Sequence, residues 1–292
     1  MKKLLFITVL MLIFSTSIFA EPINMEFKYK KNIRNSYSLE DSITLNSVQA
    51  FGQSMIDRTY ELKVKSDIFE RATELEKAGG AQVKSVVKIN NVYVDGKSES
   101  FGDPNDYQVA AFDNKGKMIR MVESSDNGFV RKFDEKTKPI IYRKFTDLLN
   151  ALFILPDKPI EVGESWSPEP ITIANNKISK SEFTLKKIET KDKEELAYIS
   201  GTTTVEMDLK DALDYFKNVI PNILAYHNLQ GTAKITTTKN DIVFSITKGL
   251  IKSNDIETSV AMDVMEIGSG MTFNVSLSTK SKLELTLSEV AK

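Results

Sequence analysis

The chain has few of the residues on which common enzyme chemistry depends. Its 292 residues include no cysteine, one histidine and one tryptophan. The absence of cysteine excludes disulfides and thiolate nucleophiles, and one histidine is too few for the usual zinc sites, which draw several ligands from Cys and His. The glycines are scattered, and no Gly-rich phosphate loop occurs. Carboxylates are the main chemistry that remains.

The chain also has no large excess of charge of either sign, since it contains 39 basic and 40 acidic residues. Near neutrality gives no electrostatic case for a nucleic acid or an acidic membrane surface as partner. No Asp-x-Asp-x-Asp-Gly calcium loop occurs, and residues 102–106 are better explained as a turn. We therefore expect no nucleic-acid partner, no metal and no cofactor.

Long apolar runs are absent except at the N-terminus. Lys2 and Lys3 precede an apolar run at 4–14 and a polar, small-residue stretch that ends at Ala20. This order is typical of a secretory signal peptide, and the run is shorter than the about 20 residues that a membrane anchor needs. No cysteine follows it for lipid attachment. We predict a periplasmic or secreted soluble protein that begins at Glu21, with no transmembrane segment in the mature chain.

Alternation of apolar and polar residues with a period of two dominates the remaining 272 residues. It occurs at 25–30, 60–65, 87–89, 92–94, 183–186 and 271–277. Turn signals separate these segments at 90–91, 95–96, 113–116, 175–176, 239–241 and 253–255. The pattern predicts a mainly β protein of curved antiparallel sheets.

Two or three helices are predicted to pack on the concave face of these sheets. Residues 145–155 carry apolar side chains at helical spacing and stop at Pro156, and residues 208–228 do so with a break at Pro221. Residues 67–78 resemble a capped helix that ends at the Gly79–Gly80 pair, although the same pair is compatible with a hairpin turn.

The strand pattern on either side of the 145–155 helix indicates two similar halves. Four prolines within residues 156–170 favour extended backbone, and this segment is the predicted boundary. The predicted organisation is therefore a signal peptide at 1–20, an N-terminal β-rich half at 21–155, a Pro-rich linker at 156–170 and a C-terminal β-rich half at 171–292.

The linker also carries a family resemblance. Residues 159–166, Pro-Ile-Glu-Val-Gly-Glu-Ser-Trp, resemble the central Pro-x-x-Val-Gly-(Asp or Glu)-x-Trp segment of uncharacterised secreted bacterial β-rich proteins with two similar halves. The resemblance implies the same layout and no assigned activity. Trp166 is interpreted as an anchor that packs the second half onto the first, with ligand stacking as the alternative.

Short catalytic motifs in the sequence do not form a consistent set. Ser85 and Lys88 match a Ser-x-x-Lys pattern and residues 125–127 match Ser-Asp-Asn, but the Lys-Thr-Gly motif of penicillin-recognising enzymes is missing. Ser85 and Lys88 also lie in a strand pattern, where residues three apart face opposite sides. Residues 163–167 lack the last glycine of a nucleophile elbow, and His227 near a predicted helix end is expected to bond to carbonyls or water.

These observations favour a non-enzymatic exported protein that binds a lipid or another apolar ligand on a concave sheet face. The side chains expected to face such a ligand, or a solid core instead, are Leu149, Phe153, Trp166, Leu213 and Phe216. The alternative is a cell-envelope interaction or structural protein that adds a strand to a partner through a sheet edge. A hydrolase based on paired carboxylates is the third hypothesis.

Overall fold

Long β-strands make up most of the computed structural model, which describes residues 21–51, 54–99, 106–126, 129–132, 153–170, 172–173, 177–208, 229–266 and 272–290. The strands, in chain order, are β1 (Ile33–Phe51), β2 (Ser54–Leu75), β3 (Ala81–Val94), β4 (Lys97–Glu99), β5 (Asp106–Phe112), β6 (Met118–Asp126), β7 (Phe129–Lys132), β8 (Ser165–Trp166), β9 (Thr172–Ile173), β10 (Lys177–Lys191), β11 (Glu194–Asp208), β12 (Leu229–Ser245), β13 (Leu250–Glu266) and β14 (Thr272–Val290).

These strands form one antiparallel sheet in the order β7-β6-β5-β3-β2-β1-β14-β13-β12-β11-β10-β8, with β4 paired to β3 and β9 to β10. The first and last long strands are therefore neighbours in the middle of the sheet, where Leu39 pairs with Leu283 and Ile43 with Thr279. The prediction of a mainly β, antiparallel protein is confirmed. Two similar halves are not supported, because the strands join into a single sheet across the β1–β14 pair.

The predicted helices on the concave face are not supported either. The helix predicted at 67–78 is wrong: most of it lies in β2, which pairs with β1 on one side and β3 on the other. A short 3₁₀ turn at Lys77–Gly79 follows, with Ala78 and Gly79 at positive φ, so the glycine pair ends a hairpin. Residues 153–155 are not helical and Asp208 ends β11, while 145–152, 209–228 and the predicted signal peptide lie outside the described residues.

One face of the sheet, here called the inner face, carries the buried side chains. On β1 these include Tyr37, Leu39 and Asp41, and their register partners on β2 include Ile68 and Ser66. Alternation thus places side chains as the period of two predicts. Polar residues share this face with apolar ones, so the alternation of apolar and polar residues along the strands is less regular than it would be for a purely apolar face.

Of the predicted turns, those at 95–96 and 113–116 are confirmed. Those at 90–91, 239–241 and 253–255 are wrong, because these residues lie inside β3, β12 and β13. Asn240 and Asn254 are 3% and 1% exposed, so they are strand residues directed at the inner face. The turn predicted at 175–176 lies outside the described residues.

The sheet curls strongly, as the N-terminal segment (residues 21–32) shows. This segment does not form the strand predicted at 25–30. Instead the Phe27 N–H donates to the Asn114 carbonyl at 2.8 Å and the next N–H, of Lys28, donates to the Gly249 carbonyl at 3.0 Å. Consecutive residues are about 3.8 Å apart, so the two carbonyl oxygens lie within about 10 Å.

Those carbonyls belong to the β5–β6 and β12–β13 turns. Between β5 and β13 lie five strand spacings, which would measure about 24 Å in a flat sheet. The inner face is therefore concave at this end, and the N-terminal segment bridges the concavity.

Candidate functional site: a cavity on the inner face

Two irregular segments cover one end of the concave inner face. Ile23 and Ile160 exchange backbone hydrogen bonds of 2.9 and 3.0 Å, which join the N-terminal segment to residues 153–160. The Leu155 N–H donates to the Lys115 carbonyl at 2.9 Å, which ties the second segment to the β5–β6 turn. Met25 is fully buried beneath them. Backbone hydrogen bonds thus hold both segments in place over this end of the inner face.

Aromatic side chains fill the space under these segments. The Phe27 ring lies 5.3 Å from Phe244 and 6.5 Å from Phe153, and Phe153 lies 5.3 Å from Phe183, all near edge-to-face. Edge-to-face packing is a favoured geometry for aromatic pairs. Buried aliphatic residues of β10, β11 and β12 complete this cluster. This part of the inner face is a solid core.

Beside that core lies a cavity of about 390 Å³. It is bounded by the N-terminal segment, the start of β13 and the inner face of β1, β2, β3 and β14. Apolar or aromatic residues dominate its lining: Phe27, Tyr29, Ile33, Tyr37, Ile68, Ala72, Val83, Phe112, Phe153, Leu250, Ile251 and Leu283. Its size falls in the range of small-molecule sites, which are also mainly apolar with a few polar groups.

The polar groups inside the cavity cluster around Glu70. The hydroxyl of Ser85, which lies outside the lining, donates to Glu70 Oε1 at 3.3 Å. Burial, and to a lesser extent the charge of Glu70, raises the pKa of both Tyr29 and Tyr37 far above its usual range. Both phenols therefore remain protonated at neutral pH and retain an O–H donor.

The cations of the lining are engaged elsewhere or face outward. The Lys28 ammonium donates to the carbonyls of Ile246 at 2.9 Å and Thr247 at 3.2 Å. Lys248 pairs with Glu194 at 2.9 Å. Arg71 follows Glu70 on β2, so its side chain faces the opposite side of the sheet. Lys30 is exposed.

Carboxylate chemistry of the hydrolase type requires two acidic groups across a cleft. Among the described residues that line the cavity, Glu70 is the one carboxylate. In the part of the chain that the structure describes, no group of three or more His, Asp or Glu side chains is placed to hold a metal ion. The cavity offers shape and hydrogen bonds rather than a paired acid and base.

Two of the residues predicted for the site fall in the described regions. Phe153 is 2% exposed and lines the cavity, where it also packs on the core. Trp166 is half-buried outside the cavity: its indole N–H donates to the Ile154 carbonyl at 2.8 Å and its ring lies 5.5 Å from Phe183. Leu149, Leu213 and Phe216 lie outside the described residues.

Sequence reasoning missed most of the cavity. Tyr37, Ile68 and Leu283 form an apolar cluster with Leu39 on three neighbouring strands, although they are up to about 250 positions apart. Alternation identifies each as an inward position, but the sequence does not reveal which strands adjoin. Glu70 lies within the wrongly predicted helix at 67–78.

The motif serines have ordinary structural roles. Ser85 is buried on β3 whereas Lys88 is exposed, so the two lie on opposite faces as predicted. Ser165 is exposed on β8, and its hydroxyl hydrogen-bonds with that of Thr184 at 2.8 Å. Neither is held beside a histidine in the described residues.

Comparisons with known proteins give distant similarities only. No protein-family model and no curated protein matches this chain. A domain from Vibrio parahaemolyticus named for outer membrane lipoprotein sorting is 10% identical, with a TM-score of 0.17, and the match covers 85% of this chain and 84% of that one. A DUF1329 family protein from Desulfovibrio piger is 9% identical, with a TM-score of 0.15 and coverage of 86% of each chain. At these TM-scores neither similarity carries an argument about this protein.

The described residues include no helix that is both long enough and apolar enough to cross a membrane.

Proposed function

We propose that this protein binds an apolar or amphipathic small molecule of the lipid class in the cavity beneath its N-terminal segment. The observation that carries the proposal is the 390 Å³ cavity itself, open between a fixed wall and a concave sheet and lined mainly by apolar and aromatic side chains. Burial of an acyl chain there stabilises the complex by roughly 0.8 kcal/mol per methylene group. The Tyr29 and Tyr37 hydroxyls provide the polar contacts that orient such a ligand.

We assign the cavity a binding rather than a catalytic role. Its described lining offers one carboxylate and no histidine or free lysine placed beside a nucleophile. A partner strand added at a sheet edge is the second candidate. β8 pairs with only Phe183 and Thr184 of the 15-residue β10, so part of that strand's outer edge has no strand neighbour among the described residues.

The predicted leader at 1–20 supports a place for this binding function in the cell envelope. A carrier or receptor for an apolar molecule is useful where that molecule must cross an aqueous compartment. N-terminal sequencing of protein recovered from the source cells tests the leader, and we expect the mature chain to begin at Glu21. A mature chain that retains residues 1–20 would contradict it.

Filling the cavity tests the binding proposal. Ala72 is 6% exposed and lines the cavity, so Ala72→Phe places a ring in the space that the ligand would occupy. Titration with N-phenyl-1-naphthylamine, whose fluorescence rises in apolar sites, measures occupancy. We expect the wild-type protein to bind the dye and the Ala72→Phe protein to bind it at least tenfold more weakly, a loss of about 1.4 kcal/mol.

The matched control is Ala261→Phe, the same substitution at an exposed position of β13. It should bind the dye as the wild type does, and thermal unfolding confirms that both variants are folded. Dye binding that is absent from the wild type, or equal in both variants, would show that the cavity is not the binding site.

A further inference from the structure

The carboxylate of Glu70 lies on the inner face of the sheet, at the wall of the cavity. Its cross-strand neighbours are Asn35 on β1 and Ser85 on β3, which are both uncharged. The nearest residues of β2 that share its face are Ile68 before it and Ala72 after it. A ligand that enters the cavity therefore meets a carboxylate whose neighbours in the sheet are neutral.

Aromatic rings lie on both sides of Glu70. On one side the buried Tyr37 belongs to the same apolar cluster as Ile68. On the other side Tyr29 packs against the cluster that contains Ala72. Both tyrosines line the cavity. Because Ile68 and Ala72 flank Glu70 on the inner face, its carboxylate lies between the two tyrosines.

Aromatic rings beside a carboxylate form a site that suits a cation. The face of a tyrosine ring attracts an ammonium group that lies within about 6 Å of the ring centre, and the attraction is strongest where water is excluded. An ionised carboxylate adds an opposite charge. It also accepts hydrogen bonds from several donors at once, so the bond from Ser85 to Glu70 is compatible with a further donor from a ligand.

The positively charged side chains of the lining do not share this position. The rings of Phe27 and Tyr29 stack with their centroids 5.8 Å apart, so both project to the cavity side of the N-terminal segment. The cations of the described lining are all exposed: Lys28, Lys30, Arg71 and Lys248. Their charges therefore face water or main-chain carbonyls, whereas the charge of Glu70 faces the cavity.

We propose that the ligand of the cavity is a cationic amphiphile, whose ammonium group binds between Glu70 and the rings of Tyr29 and Tyr37. This assignment rests on the function proposed above and specifies the ligand class. The alkyl chain of such a ligand lies against the apolar lining, which includes Ile33 and Leu250. An anionic amphiphile with the same chain is disfavoured, because its charge would lie beside the Glu70 carboxylate.

Three probes that share an alkyl chain test the preference for a cation: n-octylamine, 1-octanol and octanoate. Their affinities are measured by displacement of bound N-phenyl-1-naphthylamine at neutral pH, where the amine is cationic and octanoate is anionic. We expect the wild-type protein to bind octylamine at least tenfold more tightly than octanoate, a difference of about 1.4 kcal/mol. Glu70→Gln keeps the size of the side chain but removes its charge, and should reduce this preference to within about twofold while the affinity for octanol stays unchanged.

The matched control is Glu61→Gln, the same substitution at an exposed position of β2, which should keep the wild-type preference. A second variant, Tyr29→Leu, removes one aromatic face. It should lose about threefold more affinity for octylamine than for octanol, whereas Tyr29→Phe, which keeps the ring, should not. Thermal unfolding checks that each variant is folded.

The outcomes separate this assignment from the binding function itself. Equal affinities of the wild-type protein for the three probes, or a preference for octylamine that persists in Glu70→Gln, would overturn the cationic ligand and leave the apolar site in place. Failure of all three probes to displace the dye from the wild-type protein would overturn the proposed function as well.

Discussion

Tyr29 and Tyr37 share the cavity with Glu70, and this grouping has a consequence for stability. Burial and the nearby carboxylate keep both phenols protonated in the folded state. In the unfolded chain each phenol ionises near its ordinary pKa of about 10. Above that pH the unfolded state releases protons that the folded state retains, so the free energy of unfolding falls as the pH rises.

Tyr29→Phe removes one of these groups. We expect the wild-type protein to lose stability steeply between pH 9 and pH 11, and the Tyr29→Phe protein to lose less over the same interval. Urea unfolding at a series of pH values measures this. Tyr93→Phe, half-buried on β3, controls for the loss of a phenol as such. Parallel pH profiles for wild type and Tyr29→Phe would show that Tyr29 is not protected in the folded state.

Among single residues, the sequence was most informative where apolar character alone decides position. Phe153 was expected to face the interior, and it lies between the cavity and the core. Glu70 lies in the segment predicted as a helix, so the sequence does not predict its place on the inner face of a strand. Its inward direction follows from the pairing of Asn35 with Glu70 and of Glu70 with Ser85, which no local pattern reveals.

At the scale of elements, β2 shows why the helix prediction failed. Residues 67–78 are rich in Glu, Arg, Ala and Leu, which favour helices in isolation. The segment is nevertheless paired along both edges, and backbone hydrogen bonds to two strands outweigh a preference of a few tenths of a kcal/mol per residue. Ser66 and Glu70 on the inward side also interrupt the apolar alternation that would have identified the strand.

The wrongly predicted turns have a related cause. The sequence predicts turns at Asn240 and Asn254 because asparagine usually marks loops. Both are buried strand residues on the inner face. The polar character of that face therefore misled turn prediction in two separate strands.

Gly249 is the turn residue whose substitution is most informative. It has φ of 64°, and a Cβ there would lie 2.4 Å from the Lys28 backbone nitrogen, in the contact that holds the N-terminal segment across the concavity. Gly96 has φ of 77° with nothing within 4 Å of the equivalent position, so Gly96→Ala is a matched control. Gly96→Ala should cost about 1 kcal/mol through backbone strain alone.

We expect Gly249→Ala to cost at least twice as much as Gly96→Ala, because it adds a collision with backbone to the same strain. Urea-induced unfolding of the two variants and wild type gives the comparison, and dye binding should weaken in Gly249→Ala only. Equal losses of stability in the two variants would mean that the N-terminal segment does not depend on this contact.

For the whole molecule, the sequence indicated the fold class but not the architecture. Alternation predicted many antiparallel strands. The pairing of β1 with β14 is long-range, and no local sequence pattern in either strand identifies the other as its partner. The curl of the sheet likewise brings Phe27 and Lys28 into contact with two turns that are distant in the sequence. Such information lies in the packed structure and not in any segment of the chain.

Deletion of residues 272–292 tests the central place of β14. Although it removes only the last part of the chain, it leaves β1 and β13 without a common neighbour and splits the sheet at its middle. We expect the truncated protein to lose cooperative unfolding, as measured by circular dichroism during heating. A truncated protein that melts cooperatively near the wild-type temperature would show that the two sides of the sheet are stable independently.

The pairing of β1 with β14 also limits the order in which the sheet can form during synthesis. Most pairs in the sheet join strands that follow one another closely, but this pair cannot form until the whole chain between the two strands has been synthesised. Until then β1 has an unsatisfied edge, and the chain has the high contact order typical of slow folders. The described sheet is therefore complete only once β14 has been made, whatever the order in which its other strands pair.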